Sequence, residues 1–392
     1  MDALYKTHRY LVEHTQLAVR RKLADEINWN DRLIGIKGSR GVGKTNFLLQ
    51  YAKENFSIED RRCLYVNLNN FYFTVKSLKE FAREFMSDGG RVLLLDQVFK
   101  YPDWANELAY CYEQYKDLKI IFTVSSVSRL KNEQSPLADR VVSYNLRGFS
   151  FREFLELQTG LSFPFYDFDD ILHNHNEIAH EITSAVRPLD YIDAYFHHGY
   201  YPFYLEKRNF SENLLKTMNM MLEVDVSYIN QIEQRYLPKL RKLLYLLSVS
   251  DPSAPNISQL SADIDTSRAT VMNYIKYLKD ARLVNLLYPL KEEFPKKPGK
   301  IYLQNPNLLY ADRMIQVDRQ TLLETFFYNQ VHKDFKVNTG GKQALFTIAE
   351  KYPFVISEKL NGRQNNDNYY AIDGIESGEK KIIPLWLFGF LY

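Results

Sequence analysis

Eight consecutive residues, Gly38-Ser39-Arg40-Gly41-Val42-Gly43-Lys44-Thr45, fit the spacing G-x4-G-K-T. Glycines in such a run let backbone N–H groups wrap phosphate oxygens with no Cβ in the way, and a helix opening at the lysine adds the positive end of its dipole. The residue types assign roles. Gly38, Arg40, Gly41 and Gly43 line the cradle, Lys44 bridges the β- and γ-phosphates of ATP, and Thr45 holds Mg²⁺. Farther along, Val92-Leu93-Leu94-Leu95 forms a buried strand that delivers Asp96 into reach of the Mg²⁺ shell, so Thr45 and Asp96 are the candidate metal ligands. Gln97 follows, where a hydrolytic enzyme of this layout places a glutamate to deprotonate the attacking water. A carboxamide can hydrogen-bond that water but cannot take its proton.

Two further positions belong to the same chemistry. Thr123-Val124-Ser125-Ser126 ends a strand in hydroxyls where a γ-phosphate and its water would lie. Ser125 is the candidate sensor there, with ordinary capping of the next turn as the competing use. Arg140 precedes another strand and suits either a neighbouring subunit's γ-phosphate, as arginine fingers do, or a surface salt bridge.

These residues need a scaffold that alternates strand and helix. Short continuous apolar runs at Arg32–Lys37, Cys63–Leu68, Val92–Leu95, Lys119–Thr123 and Val141–Leu146 read as strands buried on both faces. Helical segments at Lys44–Asn55, Leu78–Met86 and Trp104–Tyr115 lie between them, which predicts an α/β fold built on a parallel sheet. Beyond Ser150 the pattern turns helical, with helices expected at Phe151–Thr159, Asp169–Ser184, Leu189–Phe196 and Glu212–Gln234. From Pro238 a helix, a short helix and a helix from about Arg268 to Ala281, then two strands around a Pro/Lys-rich tip, outline a winged helix-turn-helix. The remainder mixes a helix with short strands and an Asn-rich loop at 361–368. The division expected is a P-loop core at 1–150, a helical lid at 151–237, a winged helix at 238–305 and a small α/β domain at 306–392.

With 50 Lys+Arg against 48 Asp+Glu the formal charge is +2, so no global basic field announces nucleic acid. Arg268, Asn273, Lys276 and Lys279 could face a major groove and Lys296, Lys297 and Lys300 could touch phosphates, but a protein–protein or structural use fits these few cations equally. The two cysteines, Cys63 and Cys111, are too far apart for a zinc or disulfide framework, and a reducing cytoplasm suits them. The N-terminal stretch breaks every apolar run with charge, and the final IIPLWLFGFLY is about half the ~20 residues that span a bilayer, so no membrane role is expected. His173, His175, His180, His197 and His198 read as solvated loop residues rather than metal ligands.

The G-x4-G-K-T run, LLLDQVFKYPDW, IIFTVSS and LRGFSFREFLEL together resemble the prokaryotic AAA+ ATPases whose C-terminal half is a domain of unknown function. The resemblance runs from about residue 10 to the end and departs from the family at Gln97 and Val124. It implies an ATPase that assembles as a homo-oligomeric ring, a hexamer being one such ring, and couples nucleotide state to remodelling of a protein client, with turnover slowed by Gln97. The alternative is an ATP-gated DNA-binding switch acting through the winged helix. In relatives the C-terminal segment is similar to PD-(D/E)XK nucleases, yet Glu350-Lys351 and Glu358-Lys359 lack the spacing that a nuclease metal site needs.

Overall fold

An apolar run without polar alternation is stable as a strand only when both its faces are covered. In the computed structural model, which describes residues 1–16, 19–128, 130, 135–206, 209–228, 230–311, 316–341, 343–360 and 364–392, four such runs are buried strands, whereas the fifth, expected at Val141–Leu146 as buried on both faces, is a partly buried strand at the sheet's edge whose Ser143 and Asn145 interrupt the apolar run. The elements in chain order are α1 (Asp2–His14), α2 (Leu23–Glu26), β1 (Leu33–Gly38), α3 (Lys44–Asn55), β2 (Cys63–Asn67), α4 (Leu78–Ser87), β3 (Val92–Asp96), α5 (Trp104–Gln114), β4 (Lys119–Ser125) and β5 (Val142–Asn145). The strands pair in the order β2-β3-β4-β1-β5, and every pairing is parallel. A parallel sheet sends all its strand ends of one polarity to one edge. The register Ile36↔Thr123 and Asn67↔Asp96 sets the ends of β1, β2, β3 and β4 there together.

Local chemistry sets the helices that cover the sheet. Ser77 starts α4 with a capping box, its hydroxyl accepting the Glu80 amide while Glu80 reaches back to the Ser77 amide. Leu78, Phe81 and Phe85 on that helix are fully buried in a core shared with Phe73, Leu93 and Leu95. Burying a side chain of this size contributes roughly 1.5–3 kcal/mol.

The chain divides into two compact units, Met1–Arg147 and Gly148–Tyr392. The second begins with α6 (Phe151–Thr159), α7 (Phe168–Ala185), α8 (Leu189–Ala194), α9 (Phe210–Met220), α10 (Leu237–Val249), α11 (Ile257–Asp263) and α12 (Arg268–Asp280). It continues with an antiparallel pair, β6 (Val284–Leu287) and β7 (Lys300–Leu303), then α13 (Arg319–Val331). A sheet closes it, made of β8 (Val337–Thr339), β9 (Phe346–Ile348), β10 (Tyr352–Ser357), β11 (Tyr369–Ile372) and β12 (Ile382–Pro384). These pair in sequence order, antiparallel from β8 to β10 and parallel from β10 to β12.

Two expectations change in this unit. His173, His175 and His180 lie on α7, inside the helix expected at Asp169–Ser184, so the reading of these three as loop residues is the one that fails. The helix expected through Gln234 leaves regular geometry after Met220, where a widened turn runs from Met221 to Tyr228 and the Ser227 hydroxyl donates to Leu222 O at 2.8 Å. The apolar tail is core, with Leu385 to Tyr392 buried. Of the Asn-rich loop, residues 361–363 lie outside the described residues.

Candidate nucleotide site

Gly38 ends β1 so close to the chain beyond β5 that an added Cβ would stand 2.6 Å from Leu146 O. Gly41 and Gly43 take φ of 83° and 93°, the left-handed region that other residues enter at a cost. Gly43 is the N-cap of α3, so the first-turn amides of that helix face the loop without intrahelical acceptors. Val42, 1% exposed, roots the loop in the core, and Arg21 clamps it from behind by donating to Val42 O at 3.1 Å and to Arg147 O at 2.6 Å. Arg40 is half-buried in the same loop. The Lys44 ammonium donates to Gly38 O and Ser39 O, each at 2.8 Å, and so lies across the cradle it would share with a phosphate.

Asp96, 1% exposed, receives hydroxyls from three strands or helices at once. Thr45 Oγ1 donates to Oδ2 at 2.8 Å, Tyr65 Oη donates to Oδ2 at 2.9 Å, and Thr123 Oγ1 donates to Oδ1. Burial first, and then the neighbouring carboxylate, push the Tyr65 phenol well above its ordinary value, so it stays a donor. Because the Thr45 proton is directed at Asp96, the lone pairs of that hydroxyl are available to a cation. Together with the carboxylate they form a hard-oxygen donor set, the kind Mg²⁺ takes.

Gln97 adopts a left-handed backbone, φ 55° and ψ 41°, and its amide donates to Thr123 Oγ1 at 2.9 Å. Such a conformation in a long-chain residue is held by its surroundings and is concentrated at functional positions. Thr123 thus touches both Asp96 and Gln97. Ser125 lies at the end of β4, where its Oγ accepts the Val127 amide at 3.5 Å, while the Ser126 hydroxyl is buried without a partner among the described residues. Arg140 pairs with Glu113 and donates to Pro136 O at 2.7 Å. The structure therefore gathers Lys44, Thr45, Asp96 and Thr123 tightly and sets Ser125 and Arg140 against other partners.

Tyr65 is the member that sequence reasoning missed. In β2 it reads as one more buried aromatic, and only the pairing of β2 with β3 brings its phenol to Asp96. The strand is fixed at its outer edge by α1: His8, 3% exposed, accepts the Tyr65 amide on Nδ1 at 3.0 Å, and burial pushes its imidazole down to about 4.

Outside this site, Lys296 pairs with Glu292 and Lys300 lies 3.6 Å from Glu324, so two of the three tip lysines already face carboxylates. Among the described residues no group of three His, Cys, Asp or Glu side chains could hold a metal, and no helix is long and apolar enough to cross a membrane.

Residues 30–155 match the family model of an AAA domain, and residues 189–319 match a domain of unknown function, DUF8612. An uncharacterized protein of Methanocaldococcus jannaschii, MJ1637, is 26% identical over 286 residues, 69% of this chain and 60% of that protein, so the match spans less than two thirds of the relative. Among solved structures, the RuvB Holliday junction branch migration motor of Thermotoga maritima is 15% identical with a TM-score of 0.27, covering 81% of this chain and 96% of that one. C. elegans PCH-2 is 15% identical with a TM-score of 0.24, covering 71% and 67%. Nothing further rests on likenesses that loose.

Proposed function

We propose that this chain, whose residues 30–155 match the AAA-domain family, binds ATP with Mg²⁺ and couples the bound nucleotide to assembly with copies of itself and to remodelling of a protein partner. One observation carries the binding part of this reading. The Thr45 hydroxyl donates to Asp96 at 2.8 Å directly beside Lys44, at the open N-terminus of α3.

The chain's own groups divide the work. Backbone amides from Gly41 to Thr45 would hold phosphate oxygens, Lys44 would give up its bonds to Gly38 O and Ser39 O to contact phosphate, and Thr45 and Asp96 would hold the cation. Bound Mg²⁺ supplies neutralisation of phosphate charge. Thr123 keeps Asp96 and the Gln97 backbone in register. Gln97 orients water and leaves its proton in place, so turnover is slow while binding is intact. ATP-loaded assemblies of this chain are consequently long-lived, as rings built from like subunits.

The deciding experiment is Lys44→Ala. Loss of a point charge on the phosphates should weaken ATP binding by about a hundredfold, by calorimetry or a fluorescent analogue, with an unchanged melting curve. Equal affinity in the two proteins overturns the assignment.

A further inference from the structure

The side chain of an aspartate is soft about χ2, a broad and roughly two-fold torsion, so a metal-binding carboxylate must be held by its neighbours to present one oxygen in one direction. Asp96 is held from both flanks. β2 supplies the Tyr65 hydroxyl to Oδ2 at 2.9 Å, β4 supplies the Thr123 hydroxyl to Oδ1, and the Thr45 hydroxyl shares Oδ2 at 2.8 Å. Thr45 is committed to the cation and Thr123 is shared with the Gln97 amide, whereas the Tyr65 hydroxyl lies on the strand farthest from the phosphate loop and has Asp96 as its acceptor.

Tyr65 is itself immobile. It is 5% exposed, opposite Leu94 in the sheet register, with its amide bonded to His8. A rigid ring on an anchored strand delivers its hydroxyl to one place. Packing alone asks nothing of that oxygen, since Phe fills the same volume.

We propose that Tyr65 is a positioning residue for the cation site, fixing the rotation of Asp96 so that its carboxylate and the Thr45 hydroxyl address the same Mg²⁺. The proposal rests on the ATP·Mg²⁺ reading above and adds a residue to it. When the hydroxyl is removed, Oδ2 keeps only Thr45, the carboxylate turns more freely, and each productive orientation is populated less. Phosphate contacts from the loop and Lys44 are untouched.

The test separates metal-dependent from metal-free nucleotide binding in Tyr65→Phe. A fluorescent ATP analogue is titrated into the native and variant full-length chains, first in EDTA and then across a Mg²⁺ series, alongside thermal melts. The half-saturating Mg²⁺ should rise roughly tenfold, as loss of a hydrogen bond to a charged group implies, with unchanged affinity in EDTA. Cys63→Ala, a packing change in the same strand, should leave the Mg²⁺ requirement where it is. An unmoved Mg²⁺ half-point in Tyr65→Phe overturns the proposal, as does an equal rise in Cys63→Ala or a Tyr65→Phe chain too unstable to titrate, because each makes the role one of packing. Failure of the native chain to bind the analogue at all overturns the nucleotide reading instead.

Discussion

Both units place a carboxylate at the end of a parallel strand, and they treat it in opposite ways. Asp96 closes β3 and accepts three hydroxyls. Asp373 follows β11 and accepts both Nε and Nη2 of Arg319, at 2.9 and 2.6 Å, while the same guanidinium also pairs with Asp193. Glu324, on the helix before that sheet, is likewise engaged, by the Tyr302 hydroxyl at 2.7 Å and by Lys300. A hydroxyl that donates to a carboxylate still has lone pairs for a cation. A guanidinium has none, and it brings the positive charge that a metal would bring. The acid in the first unit is held by groups that keep lone pairs, as the proposed cation site requires, and the acid in the second is consumed by the fold.

The largest expected effect concerns Gln97, proposed above to orient water without taking its proton. Gln97→Glu should raise ATP-dependent phosphate release about 10²–10⁴-fold, the usual worth of a general base, and shorten the life of the ATP-loaded assembly. Equal turnover in the two proteins would mean that position 97 is incidental.

Acid should next distinguish the first sheet. The His8 imidazole titrates near 6.5 when unfolded and at about 4 when buried, so the unfolded chain binds the extra proton first. Stability is therefore lost as pH falls from about 6.5 to about 4 and levels off below, by about 3 kcal/mol in all. Denaturant melts across that window should show this slope in the native chain and not in His8→Gln, where an amide oxygen can still accept the Tyr65 N–H.

Asp373→Asn addresses the second sheet directly. It leaves Arg319 with a weaker partner in a partly buried place and should cost about 1–2 kcal/mol in stability. Nucleotide affinity should stay within twofold, and a change in Mg²⁺ requirement would erase the contrast drawn between the two acids. The smallest effect on stability belongs to Arg140→Ala, no more than about 1 kcal/mol, because its bond to Glu113 is largely solvated. If Arg140 also serves a neighbouring subunit, light scattering should show weaker ATP-promoted assembly in the variant. Unchanged assembly leaves it a surface ion pair.

The first unit was legible because its signals are local. Glycines at fixed spacing, a strand of four apolar residues ending in Asp96 and the alternation of strand and helix each lie within a short window of sequence. Helix α3 begins and ends at the expected residues, Lys44 and Asn55, and the strands differ from expectation by one or two residues. Tyr65 was not legible, since its meaning lies in the β2–β3 register and not in its neighbours along the chain. The α7 histidines were misread because the polar Asn174 and Asn176 suggested a loop, whereas Ile171, Leu172, His175, Ile178, Ala179 and Ile182 form the buried stripe of a helix. Within LRGFSFREFLEL, part of the motif has a structural cause: Ser150 and Glu153 form a capping box at the start of α6, and Arg152 ties Glu156 to that helix at 2.8 Å.

The bond from the Tyr65 amide to His8 has one more consequence. β2 is an edge strand of the first sheet, and outward-pointing amides on an edge are templates onto which a second chain can add a strand. Here α1 lies along that edge and an imidazole nitrogen takes the central amide, so a passing strand finds it spent. The cap is acid-labile by its own chemistry, because a protonated imidazole has no lone pair to offer. In acid the protonated His8 therefore stops accepting the Tyr65 amide, and the tie between α1 and the edge of the sheet is released together with the stability it carried.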